Sequence, residues 1–393
     1  MTKIRLLFFW CAFVALLPIR ASRPLGPVVC GDEQTERYFP LLKGRRVALF
    51  CNQTARVGQQ LLPDLLVANH FDVACVLSPE HGFRGNADAG EHVESGVDET
   101  TGVPVRSLYG ATDSIPLNRY LRDRADLLVV DIQDVGLRFY TYYITMLKLM
   151  NICAAEQLPV VVLDRPNPNG FYVDGPILDM RYRSGVGALP IPVVHGMTLG
   201  ELAQMINGEG WLDRQRRCRL TVIPCQNYTH STRWQLPVAP SPNLPTMKAV
   251  YLYPSMCYFE GTVMSLGRGT DKPFLLYGHP RMKGGNCIFT PRSRPGAKHP
   301  PLMGQECCGV DLSKMPDAEI CSKGLDLSYL IDAYRRMGIG DRFFTPFFEK
   351  LIGVDYVRKM IEGGKEADEI KAMWKKDVER FKRQRQPYLL YKP

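Results

Sequence analysis

The pattern of this chain is that of an α/β protein with a doubly wound parallel sheet. From residue 44 onward, short runs rich in Val and Leu alternate with longer stretches of helical spacing. The short runs are apolar throughout, which marks strands covered on both faces. They also end in polar residues, as strands do when a ligand cleft lies beyond their carboxyl ends.

The first strand, in RRVALFCN, stops at Asn52, and GQQLLPDLLVAN supplies a helix before FDVACVLSPE runs into Ser78-Pro79-Glu80-His81. SIPLNRYLRDR is the next helix, and ADLLVVDIQD is a strand closing on Asp131-Ile132-Gln133-Asp134. The long FYTYYITMLKLMNICAAEQ is helical in spacing, LPVVVLDRP ends in Asp164-Arg165, and PIPVVHG reads as a strand ending in His195. Thr198 and Glu201 then have the three-residue spacing of a capping box at a helix start. RLTVIPC is the last strand of the series. The C-terminal third (LDLSYLIDAYRRM, FFEKLIGVDYVRKM, KEADEIKAMWKKDVERFKRQ) carries helical spacing with charged outer faces, expected to buttress the cleft. NCIFTPRSRPGAKHPPLMGQECCG interrupts it as a surface flap or strand-poor excursion.

With 393 residues, 45% hydrophobic and 23% charged, the chain suits two globular domains. The net charge of +9 is dispersed, apart from a C-terminal cluster (Lys375, Lys376, Arg380, Lys382, Arg383, Arg385) that Asp377 and Glu379 interleave. Such a mixed cluster is a solvated helix face, and no nucleic-acid partner is expected. Lys3 and Arg5 precede an apolar run over residues 6–17, and Ile19-Arg20-Ala21 resembles a signal-peptidase site. Residues 1–21 are therefore expected to be a cleaved export signal, too short to span a bilayer. An exported, periplasmic protein without a stable membrane anchor follows. Cleavage takes Cys11 from the twelve cysteines and leaves an odd number. None forms a CxxC, so no structural zinc is expected. Cys51 and Cys75 read as buried thiols, and disulfides are anticipated, if anywhere, among Cys287, Cys307, Cys308 and Cys321.

The first strand is followed by NQTARVGQQ, with neither a GxGxxG nor a GxxxxGK[ST] phosphate cradle. GVGALP has two glycines of the pattern but lies in a later loop. The absence of GxSxG, SxxK and HExxH removes the signature-based case for three further hydrolase classes. Carboxylates remain. Glycosidic cleavage needs a proton donor for the leaving oxygen, and Glu80, behind Pro79 and beside Phe83, is suited to partial desolvation that raises its pKa. His81 is a candidate to tune or orient it. Glu80, His81, Asp88, Glu91 and His92 lie close together, but their spacing is poor for zinc, and neither a catalytic metal nor a cofactor is expected. Among aromatics that could stack on a sugar, Phe83, Tyr109, Phe139, Tyr140 and Tyr143 are near the strand ends; Tyr140 is preferred, and most of FYTYYITM reads as helix core.

The motifs SPEHGFRG, AGEHVESGVDETTGVPVRSLYG, DIQDVGLRFYTY, DRPNPNG, PIPVVHGMTLGEL, SPNLPT and FEGTVMSLGRGTDKPF occur in that order. Together they resemble the exo-β-N-acetylmuramidases of the NamZ type, from residue 45 to the C-terminus. The resemblance implies a Rossmann-like N-terminal domain (36–245) followed by a smaller α+β C-terminal domain (246–393), with the cleft between them. It implies release of N-acetylmuramic acid from the non-reducing end of peptidoglycan-derived disaccharides or muropeptides, with Glu80 catalytic and His81 and Arg84 in the same motif. It carries Asp131, Gln133, Arg138, Tyr140, Asn167 and His195 over as lining residues. In the second domain Glu260 is either a further catalytic carboxylate or one half of a salt bridge that holds the domains together. Arg268, Arg138 or Arg84 is expected to take the lactyl carboxylate of muramic acid, because a guanidinium pairs with a carboxylate through two parallel hydrogen bonds. The competing reading is a periplasmic binding protein that captures muropeptides or sugars without cleaving them.

Overall fold

The computed structural model describes residues 26–79, 83, 95–108 and 115–393. Twelve strands occur among them: β1 (Arg46–Cys51), the small hairpin β2 (Arg56–Val57) and β3 (Gln60–Leu61), β4 (Asp72–Ser78), β5 (Gly96–Val97), β6 (Pro104–Ser107), β7 (Leu127–Asp131), β8 (Val160–Leu163), β9 (Leu220–Ile223), β10 (Leu276–His279), β11 (Cys287–Phe289) and β12 (Cys307–Asp311). The main sheet has the order β5-β6-β4-β1-β7-β8-β9 and is parallel except at the β5 edge. Winding thus proceeds from β1 to one side and then, from β7, to the other, the doubly wound topology expected. One expected strand is absent: PIPVVHG contributes only isolated bridges from Val194 to Leu137 and Asp174. Its flanking prolines and the φ of +61° at Gly196 break a continuous ladder.

The apolar strands separate two cores because successive side chains point to opposite faces. Val47, Leu49 and Cys51 join one cluster with Leu62, Leu66 and Tyr38, whereas Ala48, Phe50, Leu128 and Val130 face the other. The first cluster is covered by α1 (Thr35–Leu42) and α2 (Leu62–Ala68). The second is covered by α3 (Leu117–Arg124), α4 (Tyr142–Glu156) and α5 (Leu199–Gly208). Thr198 caps α5 through Glu201 as its spacing demands.

The second cluster runs without a break into the C-terminal part, where α6 (Met247–Met256) brings Tyr251 and Tyr253 against it. There β10, β12 and β11 form a small antiparallel sheet flanked by α7 (Asp317–Lys323), α8 (Ser328–Met337), α9 (Phe348–Ile352), α10 (Tyr356–Glu362) and α11 (Ala367–Arg385). The flap is therefore strand-bounded, its two ends being β11 and β12. In α11 the buried residues Ile370, Trp374, Val378 and Phe381 make one stripe. That stripe faces the first domain: Trp374 Nε1 donates to Asp174 Oδ1 (2.8 Å) and Arg385 Nη1 to His195 O (3.1 Å). The tail follows, Tyr391 donating its hydroxyl to Asp164 Oδ2 (2.5 Å). Cys51 and Cys75 are buried thiols, and Cys287, Cys307 and Cys308 face Gly309, Phe289 and Ile288 across the ladder, so the small sheet does not pair them with one another.

Candidate active site

The carboxyl ends of β1 and β7 adjoin where the winding reverses, the position at which such sheets open a crevice. Its floor is a polar turn. Asn52 Oδ1 accepts from Thr54 N (3.0 Å) and Thr54 Oγ1 (2.6 Å), and Thr54 Oγ1 accepts in turn from Gln133 N (3.0 Å). The linker to the second domain crosses above. Gln53 Nε2 donates to Ala239 O (3.2 Å), and the hydroxyls of Tyr140 and Tyr142 both donate to Pro240 O (2.9 and 3.2 Å). The chain covers its own switch point, and the usable space moves outward to the seam between the domains.

That space is a cavity of about 170 Å³. Phe139, Tyr140, Thr141 and Tyr142 wall it from the first domain, Ser241 and Asn243 from the linker, and Tyr253, Glu260, Arg268 and Phe274 from the second. The rings meet edge to face, Tyr140 with Tyr142 (4.7 Å between centroids) and Tyr253 with Phe274 (4.8 Å). Arg268 Nη2 donates to Glu260 Oε1 (2.6 Å), and its guanidinium lies over the Phe274 ring (5.1 Å). Burial works against its charge, but the Glu260 carboxylate outweighs burial and holds its pKa above the ordinary value. The pair lies within the second domain and does not bridge the two, as an ion-pair role for Glu260 had implied. The flap reaches the same wall, Gly296 O accepting from Asn243 Nδ2 (2.6 Å).

Of the lining residues expected from sequence, Tyr140, Glu260 and Arg268 are brought together here. Five others are interior. Asp131 gives both oxygens to Arg165, which also binds Asp32 Oδ2, all three being buried. Gln133 turns its amide to Asp134 O and Pro166 O (2.8 Å each). Asn167 donates to Met197 O (2.8 Å) and accepts from Asn169 N (2.8 Å). His195 accepts at Nδ1 from Met197 N (3.2 Å), which puts its proton on Nε2, and burial lowers its pKa to about 3. Arg138 is fully buried and donates to four main-chain carbonyls, of Pro176, Ile191, Leu351 and Ile352. A guanidinium so engaged fastens the domains and is not offered to a ligand. Phe139 and Tyr140 reach the cavity, Phe83 belongs to the core under β1, and Tyr143 is core, accepting at its hydroxyl from Ala188 N. Glu80, His81, Arg84 and Tyr109 lie outside the described residues, as do residues 1–21, expected to be an export signal, and Asp88, Glu91 and His92.

Sequence reasoning missed Ser241, Asn243, Tyr253 and Phe274. The SPNLPT and TDKPF motifs held the signal for three of them, but nothing in Tyr253 itself distinguishes it from helix core. Asp134, named in sequence only as part of a polar strand end, is a buried carboxyl that accepts at Oδ1 from Gly136 N (2.7 Å) and is pushed by burial to a pKa of about 7.

Two family models match in tandem, the N-terminal domain of exo-β-N-acetylmuramidase NamZ over residues 47–248 and the C-terminal domain over residues 251–391. The chain belongs to the NamZ family. It is 39% identical over 381 residues to the peptidoglycan β-N-acetylmuramidase NamZ of Bacillus subtilis strain 168, covering 90% of this chain and 89% of that one. A crystal structure of a DUF1343 family protein from Bacteroides fragilis is 60% identical, with a TM-score of 0.87 over 93% of this chain and 99% of that one. A second DUF1343 structure from the same organism, 28% identical, gives a TM-score of 0.75 over 94% of this chain and 100% of its own. As a NamZ family member the chain is a glycosidase. The doubly wound sheet followed by a small antiparallel one is the shared fold.

Proposed function

We propose that this NamZ family protein is an exo-acting hydrolase that releases N-acetylmuramic acid from the non-reducing end of peptidoglycan fragments, with Glu80 as general acid. The reading rests on one observation: both NamZ domains match in order, and the seam between them holds an aromatic-walled cavity with a guanidinium in it. Its volume, about 170 Å³, is of the order of a single sugar ring, in keeping with action on a chain end. Glu80 follows Ser78, the last residue of β4, by two positions, and β4 neighbours β1 in the sheet. From such a strand end a carboxylic acid protonates the leaving oxygen while the bond to the anomeric carbon breaks. His81 and Arg84 accompany it in the motif.

Arg268 is assigned to the lactyl carboxylate. One of its nitrogens is held by Glu260, and the planar group retains further N–H donors on an edge of the cavity wall. Glu260 orients Arg268 in this scheme and does not carry the proton. Residues 1–21 act as an export signal that delivers the enzyme to the periplasm, where muropeptides arise.

Purified protein incubated with a chromogenic N-acetylmuramide, alongside Glu80→Gln, tests the reading. Release by the wild type and a fall of at least about 100-fold in the variant are expected for loss of a general acid. Sugar retained at equilibrium without any release would establish a binding protein instead. Undiminished release by Glu80→Gln would move the acid to another carboxyl.

A further inference from the structure

Residues 28–30 run antiparallel to residues 224–226, just past the end of β9. Val29 and Gln226 exchange both main-chain hydrogen bonds, Val29 N to Gln226 O at 3.1 Å and Gln226 N to Val29 O at 2.8 Å. In an antiparallel ladder the next residues along face each other at a non-hydrogen-bonded position, with Cα atoms about 4.5 Å apart and side chains on the same side. Here those residues are Cys30 and Cys225. Their amides behave accordingly, since neither donates across the pair: Cys30 N goes to Glu33 Oε2 (2.6 Å) and Cys225 N to the Tyr391 hydroxyl (2.9 Å). A separation of about 4.5 Å lies within the span that a disulfide bridges, roughly 4.4–6.8 Å.

The surroundings hold this register. Gln34 Nε2 donates to both Cys30 O (3.1 Å) and Pro224 O (2.8 Å), tying the two segments from outside the ladder. Both cysteines are buried, and the Cys225 thiol is within hydrogen-bonding reach of Cys30 as well as of Asp164 O (3.2 Å). The C-terminal cysteines are different: Cys287, Cys307 and Cys308 each face a residue that is not cysteine.

We propose that Cys30 and Cys225 are joined by a disulfide that staples the N-terminal segment to the exit of β9. Formation is by thiol–disulfide exchange with a disulfide donor of the glutathione or dithiol-oxidase class. One thiolate attacks the donor and expels a thiol, and the second then attacks the mixed disulfide and expels the other. Two electrons and two protons leave the pair, and the donor disulfide is reduced to two thiols. Because both sulfurs are covered in the folded chain, the exchange runs as the chain folds. The crosslink closes a very long loop and fixes the segment from which Asp32 reaches Arg165. It pairs two facing cysteines in a chain whose Cys287, Cys307 and Cys308 do not face one another in their ladder. The oxidising compartment rests on the export reading of residues 1–21, whereas the facing of the two sulfurs does not.

The full chain, unfolded and refolded with oxidised and reduced glutathione, is alkylated with N-ethylmaleimide in denaturant without reductant, digested and weighed. The expected product is a peptide linking Cys30 to Cys225, lighter by two hydrogen atoms than the reduced pair. Adding a phosphine reductant should lower the melting temperature by roughly 5 °C, and Cys225→Ser should abolish that difference. Alkylation of both cysteines, linkage of either to a third cysteine, or zinc retained on Cys30 in native mass spectrometry would each overturn the proposal. Protein taken directly from cells separates the two readings: a linked pair after refolding but free thiols in cell extracts would keep the staple and overturn export.

Discussion

Replacing Arg138 by Met separates a domain fastener from a ligand-binding arginine. The buried guanidinium donates Nη1 to Pro176 O (2.7 Å) and Ile191 O (3.0 Å), and Nη2 to Leu351 O (3.0 Å) and Ile352 O (2.7 Å). The first two carbonyls belong to the sheet domain, and the other two end α9 of the second. Burial pulls the side-chain pKa down to about 10, so it is charged at neutral pH. Methionine keeps much of the apolar stem but leaves the Pro176, Leu351 and Ile352 carbonyls without this donor, each costing about 1–3 kcal/mol, while Ile191 O keeps the amide of Leu178. Relief from holding a charge in the interior offsets part of that, leaving a net loss of about 4 kcal/mol. At roughly 1.2 °C per kcal/mol for a chain of this length, the melting temperature should fall by roughly 5 °C. Arg138→Lys keeps the charge but has a single nitrogen to divide among the carbonyls, so it should fall in between. Thermal unfolding followed by circular dichroism gives the midpoint, and KM for a chromogenic muramide is taken well below it. An unchanged midpoint with KM raised about tenfold, a difference of about 1.4 kcal/mol, would mean that Arg138 meets substrate and that its four carbonyl bonds are incidental.

Three other perturbations bear on the site and its frame. Arg268→Met removes the proposed carboxylate contact; a charged hydrogen bond of about 1.5–3 kcal/mol corresponds to a loss of roughly 10- to 150-fold in kcat/KM on a muramide. A matched N-acetylglucosaminide, lacking the lactyl group, should show no such loss, and equal losses on both would remove the assignment. Asp134 titrates near pH 7 when folded against 3.8 unfolded, a raised value, so its contribution to stability is fully present below pH 3.8 and is lost as pH rises through 7. Asp134→Asn does not titrate, and its melting temperature should gain on the wild type between pH 4 and 7 and then stay level; a pH-independent offset would refute the burial argument. Trp374→Ala empties a buried site in α11 and cuts the bond to Asp174, with an expected loss of about 3–5 kcal/mol in urea unfolding. A loss under about 1 kcal/mol would mean that α11 does not dock on the first domain.

The sheet was legible because strands buried on both faces have no freedom to alternate, so Val47 to Cys51 and Leu127 to Asp131 announce themselves as apolar runs. PIPVVHG shows the limit of that signal. Val193 and Val194 are as buried as any strand residue, but the local backbone cannot hold a ladder, and composition does not report that. The interior placement of several expected lining residues has a related cause. Polar groups at strand ends are needed whether a ligand is present or not, since the carbonyls and amides of the turns there must be satisfied. Gln133, Asn167 and His195 serve that need, whereas Asp131 holds the buried Arg165, and only their partners reveal it.

The amino-acid order alone settles the α/β class, the strand ends, the α5 capping box and the amphipathic stripe of α11, because these depend on neighbours within a few residues. Tertiary structure alone decides which polar groups face inward and which reach the seam. Arg138 and Arg268 are indistinguishable as letters; one is surrounded by four carbonyls from segments as far away as residue 352, and the other opens on a cavity beside Glu260. The same holds for Cys30 and Cys225, whose apposition comes from an antiparallel pair that no local pattern encodes. Long-range packing assigns those partners, and a side chain's chemistry in a folded protein is set by its partners.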